Sequence, residues 1–309
     1  MAFTPKYDKT IAIIGSSSRT AEALLRFITL EERYRIISFS SDFTINDRFP
    51  ITEFFNYGSL QLKETKEALI YLKPDIIINT AGLNQRQTVD AEKKTAWNLN
   101  VAVVENLVKV ARIIEAHFIM LSTDRVFDGV KGPYSETDKP LPVENFGRNK
   151  LAAENLAISG TEKVSIIRVS GIYGLSSVNK PDFVNVTLES LLAEMPISPD
   201  NNVRYTPINA LDLALVINKI AGKGKLGIYN AGSSDLVTDY TAAKTIAKVY
   251  NLDENLITPS EEKKPKATNY GLITLKTETD LGVKMPSYES SIVTYKTLSM
   301  GNKPIKLLI

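Results

Sequence analysis

The chain has 309 residues, 43% hydrophobic and 23% charged, with a net charge of +2 and no cysteine. That is an ordinary soluble globular composition, long enough for one large domain or two modest ones. The small charge argues against nucleic acid or an anionic membrane as partner, and the missing cysteines exclude disulfides, thiolate nucleophiles and Cys-bound zinc. No apolar run approaches the roughly 18 residues a membrane helix needs. The polar stretch Met1 to Thr10 lacks an apolar signal core, so a cytoplasmic location is the default expectation. The single histidine, His117, begins an apolar run and is read as structural, since one histidine cannot build a usual zinc site; no metal is expected.

In chain order, Ile11 to Ile14 is a short apolar strand ending at Gly15. Ala21 to Leu30 follows as a helix with Ala21, Leu24, Leu25 and Ile28 on one face. Arg35 to Phe39 is a second strand and Leu60 to Leu72 a helix. Asp75 to Asn79 is a strand after Pro74. A long helix runs from Lys93 to Ile114, with Val101, Val104, Leu107, Val108 and Ala111 on its apolar face. Then come the strand Phe118 to Ser122, a loop to about Val143, a helix from Phe146 to Ile158 and the strand Val164 to Arg168. Apolar, non-alternating strands separated by helices indicate a parallel sheet covered on both faces. Right-handed crossovers make this an α/β, Rossmann-like, doubly wound sheet.

After Gly174 the rhythm changes. Pro181 to Met195 contains a helix, Arg204 to Pro207 an extended piece, Ala210 to Ile220 a helix, Gly227 to Asn230 a strand and Thr241 to Tyr250 a helix. Glu261 to Thr268 is Lys-rich with one proline and reads as a solvated loop. The expected division is residues 1–170 as the dinucleotide-binding domain, with returns from about 204–230. Residues 171–203 and 231–309 then form a smaller α/β substrate-binding lobe.

The chemistry begins at Gly15-Ser16-Ser17-Ser18-Arg19-Thr20-Ala21, between the first strand and the first helix. This is the context of a dinucleotide loop, in which a helix N-terminus faces the pyrophosphate. Only the first of the three fingerprint glycines is present; Ser18 and Ala21 hold the other two positions. Both are small enough for the loop to close, and the serine hydroxyls can donate to phosphate, but Ser18 brings a Cβ toward the pyrophosphate. A plain strand-to-helix turn is the alternative. At the end of the second strand Ser38-Phe39-Ser40-Ser41-Asp42 stands where an acidic ribose contact belongs; Asp42 is a few residues late and no arginine adjoins it. NAD and NADP therefore both stay open.

Four further strings follow. They are Pro74-Asp75-Ile76-Ile77-Ile78-Asn79-Thr80-Ala81-Gly82; Leu121-Ser122-Thr123-Asp124-Arg125-Val126-Phe127-Asp128-Gly129; Gly132-Pro133-Tyr134-Ser135-Glu136; and Phe146-Gly147-Arg148-Asn149-Lys150 continuing to Glu154. With Arg168 to Gly174 and Leu281 to Pro286, this series resembles extended short-chain dehydrogenases, most closely the dTDP-4-dehydrorhamnose reductase (RmlD-like) family. It covers roughly residues 9 to 295.

The resemblance implies hydride transfer from a nicotinamide cofactor, NADP or NAD, to a nucleotide-linked 4-keto sugar, with a tyrosine supplying the proton. Thr123 best matches the hydroxyl that bonds the substrate oxygen, with Ser122 and Asp124 beside it. Lys150 matches the lysine that binds the nicotinamide ribose. Gly15, Ser17, Ser18, Arg19, Thr20 and Ser40 fall on the cofactor loop and the second strand's tip. Asn79, Ala81 and Gly82 line the cofactor trough, and Asn100 supports its edge. The departure is Phe146, which fills the tyrosine position of the Tyr-x-x-x-Lys pair without a hydroxyl. Tyr134, and secondarily Tyr173, are the candidate replacements; for Tyr134 a packing role is the simpler expectation. A non-catalytic NAD(P)-binding or regulatory relative is the other function expected. The partner is a nucleotide-sugar substrate, with no nucleic acid or membrane; a homodimer stays open.

Overall fold

A computed structural model describes residues 7–29, 34–40, 45, 47–49, 51, 53–56, 63–174, 181–260 and 268–300. Asp42, residues 60–62 of the expected second helix, Leu30 and the Lys-rich stretch 261–267 lie outside them.

The first half alternates as expected: β1 (Lys9–Ile14), α1 (Arg19–Ile28), β2 (Tyr34–Ser40), β3 (Glu53–Asn56), α2 (Lys63–Leu72) and β4 (Ile76–Asn79). There follow α3 (Arg86–Ala91), α4 (Lys93–Trp97), a π-helical turn (Asn98–Ala102), α5 (Val103–Ile114), β5 (His117–Thr123), α6 (Asn145–Gly160) and β6 (Val164–Tyr173). The expected helix over 93–114 is present, but a wide turn divides it. β3 and α3 are additions to the sequence-based expectation.

The second half holds α7 (Phe183–Leu192), β7 (Val203–Arg204), β8 (Pro207–Asn209), α8 (Ala210–Lys223), β9 (Gly227–Ala231), α9 (Asp239–Tyr250), β10 (Thr268–Asn269), α10 (Leu275–Leu281) and α11 (Tyr288–Met300). The expected extended piece at 204–207 is two strands in two sheets: β7 pairs with β10, while β8 joins the main sheet.

That main sheet is parallel in the order β3-β2-β1-β4-β5-β6-β8, with β9 also on β6. β6 serves two neighbours in succession. Ser165 to Val169 pair with β9, and Ser170 to Tyr173 pair with β8. Successive side chains of a strand point to opposite faces. Ile11 and Ile13 accordingly join a core with α1 and α8, whereas Ala12 and Ile14 join one with α5. Coverage on both faces is why these strands carry no polar alternation. A third core joins Tyr173 at the end of β6 to Val184 and Leu188 of α7, Val237, Ala242 and Ile246 around α9, and Tyr288, Ile292 and Tyr295 of α11. It stands over the carboxyl ends of the strands, where ligands of open α/β sheets bind.

His117 opens β5 with its ring buried. The Ser165 hydroxyl donates to the Lys225 carbonyl at 2.5 Å, so its oxygen is left to accept from His117 Nε2 at 2.7 Å. Burial, with Lys9 and Lys163 nearby, pushes His117 down to about 4. The histidine is a neutral strut between two strands.

Candidate functional site

A cleft of about 860 Å³ opens at the carboxyl ends of β1, β4, β5 and β6. Its first wall is the β1–α1 loop, through Gly15, Ser17, Ser18, Arg19 and Thr20. Gly15 turns the chain at φ +78°, and a Cβ there would stand 2.8 Å from the Ala81 backbone. Only glycine lets these two loops approach so closely. The Gly15 amide donates to the Phe39 carbonyl at 2.9 Å, and Ser16 is buried with its hydroxyl 2.5 Å from Ser38.

Ser18 caps α1: its Oγ accepts from the Ala21 amide at 3.1 Å. The same hydroxyl donates to Thr80 Oγ1 at 2.9 Å, and Thr80 in turn donates to the carbonyls of Ile14 and Gly15. Serine at the second fingerprint position thus replaces backbone freedom with a side-chain cap. Ala21, at the third, is fully buried in the α1 core, the close helix packing that position requires. Arg19 leans across the cleft mouth: Nε donates to the Gly174 carbonyl at 3.0 Å, and Nη2 lies 3.4 Å from the Asp182 carboxylate. Asp182 also caps α7 and accepts from the Gly174 amide.

The second wall follows β4. Ala81 and Gly82 line the cleft, but Asn79 and Asn100 do not. Both asparagines are buried and brace the wall from behind. Asn79 accepts from the Ala81 amide at 3.1 Å. Asn100, on the π turn, binds both backbone groups of Leu83, at 2.8 and 2.9 Å. Ser40 is also buried and off the cleft.

The third wall carries the chemistry. Ser122, Thr123 and Asp124 end β5, and Phe146 and Lys150 project from the first turns of α6, one turn apart on one face. Gly147 lets this helix start press onto the 124–126 turn; a Cβ there would stand 2.0 Å from the Arg125 carbonyl. Thr123 Oγ1 donates to Asp124 Oδ1 at 2.9 Å, and Ser170 Oγ donates to Asp124 Oδ2 at 2.5 Å. Ser122 donates to Glu154, a carboxylate only 1% exposed that also binds Arg168 at 2.8 Å through Oε2. Lys150 Nζ donates to the Leu121 carbonyl at 3.0 Å. Burial lowers Lys150 to about 8, against the opposing pull of the Glu154 carboxylate.

Two of the residues named from the sequence have their hydroxyls engaged elsewhere. Ser122 reaches the cleft, but its hydroxyl hydrogen goes inward to Glu154 rather than toward a substrate. Tyr134 does not line the cleft at all: its ring stacks on Phe127 at 4.1 Å, and its hydroxyl donates to Asp128 at 2.5 Å. These are the contacts of a packing residue. Tyr173 does line the cleft, with burial pushing its ionisation up. Thr80, Arg125, Ser170, Asp182 and Tyr205 also line it without having been singled out. Ser170, at the carboxyl end of β6, was reachable through the rule that sites lie at strand ends; Tyr205 carried no sequence signal.

The sequence matches the model of the RmlD substrate binding domain over residues 10–298. The chain belongs to this family. Its similarities extend in two directions. It is 29% identical over 202 residues to methionine adenosyltransferase 2 subunit beta of Xenopus laevis, covering 63% of this chain and 60% of that protein's length. It is 27% identical over 229 residues to the "probable low-salt glycan biosynthesis reductase" of Haloferax volcanii, covering 71% and 75%. Among solved structures, dTDP-4-dehydrorhamnose reductase from Bacillus anthracis, in complex with NADP, superposes with a TM-score of 0.81 at 21% identity, over 94% of this chain and 99% of that one. This RmlD-family chain therefore has the extended short-chain dehydrogenase fold. Among the described residues no helix is long and apolar enough to cross a membrane.

Proposed function

We propose that the protein binds NADP(H) or NAD(H) in the cleft and reduces a nucleotide-linked 4-keto sugar, with proton delivery altered by Phe146. The observation that carries this reading is one cleft joining the β1–α1 loop to Thr123 and Lys150. The backbone approach at Gly15, which a Cβ would block, is the kind of cradle a pyrophosphate needs. The N-terminus of α1 opens on the same space and favours an anion. When bound, a reduced nicotinamide supplies hydride; the protein's own contribution is position, exclusion of water and the proton. Lys150, which donates to the Leu121 carbonyl and adjoins Gly82, is the residue we assign to the ribose. Thr123 lines the cleft, with its hydrogen held by Asp124 and its oxygen accepting from the Arg125 amide, and is the residue we assign to the substrate oxygen. The α7–α9–α11 lobe forms the substrate-binding part. The NADP complex of the Bacillus anthracis reductase supports a nicotinamide cofactor. A cytoplasmic, homodimeric protein fits this role.

A second reading is favoured by one residue and one likeness: Phe146 removes the usual acid, and the frog relative is named as an enzyme subunit. In that reading the cleft holds a cofactor for regulation rather than turnover. Calorimetry with NADPH and NADH, followed by NADPH oxidation with dTDP-4-dehydrorhamnose, separates the two. Binding with turnover supports the reductase, binding alone supports the regulatory relative, and no binding of either cofactor ends both.

A further inference from the structure

We propose that Lys150 itself donates the proton to the carbonyl oxygen in this cleft. This rests on the reductase reading above and names the group that handles its proton. Phe146 has no hydroxyl, so another group in the cleft has to take over the proton. Tyr173 and Tyr288 line the cleft from the third core, where burial pushes their ionisation far up, so neither gives up its proton readily. The other hydroxyl hydrogens near Phe146 are committed to carboxylates. Ser122 gives its hydrogen to Glu154, Thr123 and Ser170 give theirs to Asp124 at 2.9 and 2.5 Å, and Tyr205 donates to Asp239 at 2.5 Å. Each acceptor is a carboxylate, so withdrawing a hydrogen would leave a charge-assisted bond unmade. Arginine does not release a proton in proteins, which removes Arg19 and Arg125.

Lys150 is different. Its ammonium has three N–H groups, of which one is spent on the Leu121 carbonyl. It projects from the same helix face as Phe146, one turn further in. The charged groups around it are Glu154 on its own helix, Arg168 of β6 paired to Glu154, and Asp124 with Arg125 beyond β5. The β4 side, Thr80 to Gln85, contributes no charge. Burial brings the amine to about 8, and a general acid works best when its proton affinity lies near the working pH. In the reaction the carbonyl carbon takes a hydride from the reduced nicotinamide, which is oxidised. The carbonyl oxygen takes a proton from Lys150 Nζ, and the neutral amine regains one from water.

The test uses the full chain with NADPH and dTDP-4-dehydrorhamnose. Lys150→Arg keeps a cation for the ribose but cannot give up a proton. NADPH affinity should stay within about fivefold of wild type while turnover falls about 100-fold or more. Because the chain has no cysteine, Lys150→Cys can be alkylated selectively with 2-bromoethylamine. The resulting thia-lysine is a weaker base, so turnover should return with its pH midpoint shifted downward. Independently of activity, an NMR titration of the Lys150 side chain in the protein alone should show a midpoint near 8. A midpoint above about 10, or a Lys150→Arg enzyme within about threefold of wild-type turnover, overturns the proposal. A wild type that binds NADPH without turnover overturns the reductase reading and the proposal together.

Discussion

Gly15 and Phe146 both line the cleft and have opposite tolerances. Gly15 sits at φ +78° with Ala81 2.8 Å from any added Cβ. Gly15→Ala should destabilise the protein by about 1–3 kcal/mol and abolish NADPH binding, read by thermal shift with and without cofactor. Phe146 is half-buried and its ring already fits, so Phe146→Tyr adds one oxygen beside Lys150. A positioned acid contributes about 10² to 10⁴ in rate. NADPH oxidation should therefore rise at least tenfold; an inert variant from an inert parent would place the protein with non-catalytic relatives. Thr123 and Lys150 were legible because short, spaced strings surround them. The commitments of Ser122 were not, since its acceptor Glu154 lies 32 residues on and its fate depends on a third residue, Arg168. For Tyr134 packing was the simpler expectation, but its partners Asp128 and Phe127 became visible only once placed in space.

Among the elements, α7 begins at a side chain that serves three partners. Asp182 accepts from the Asn185 amide at 3.0 Å as its cap, from the Gly174 amide at 3.0 Å, and pairs with Arg19. Asp182→Ala should cost about 1–2 kcal/mol, and Asp182→Asn much less because asparagine also caps; urea midpoints of the two variants check this. Helices and strands with continuous apolar faces were visible in the sequence. Those missed lacked that signal. β3 is four residues at the sheet edge, where half-burial writes no clear pattern. α3 is a six-residue helix with no side-chain cap bond. α11 buries Tyr288, Ser291, Ile292 and Tyr295, a helical spacing in which only one member is aliphatic.

For the whole molecule, His117 links folding to pH. Its proton affinity is depressed from 6.5 to about 4 in the folded chain, so only the unfolded chain takes up the proton in that interval. Stability is full above pH 6.5 and falls as pH drops toward 4, by roughly 3 kcal/mol from this site. A urea series from pH 7.5 to 4.5 should show the loss, and His117→Gln should flatten that part of it. The parallel sheet and its order follow from the alternating apolar segments of the first half. The second half was harder because β6 is shared, first with β9 and then with β8, and no local periodicity announces that a strand will change partners midway.

The wide turn at Asn98 to Ala102 has a mechanical consequence. It holds one residue more than the α-helical spacing on either side would need, and Asn100 sits within it, clasping Leu83. Removing one residue there would leave the helix nearly as long but rotate its two ends relative to each other by about 100°. Either α5 would turn its apolar face away from the sheet, or Asn100 would swing off Leu83. The turn is thus a phase adjuster, setting the angular offset between the segment that supports the cleft and the segment that builds the core.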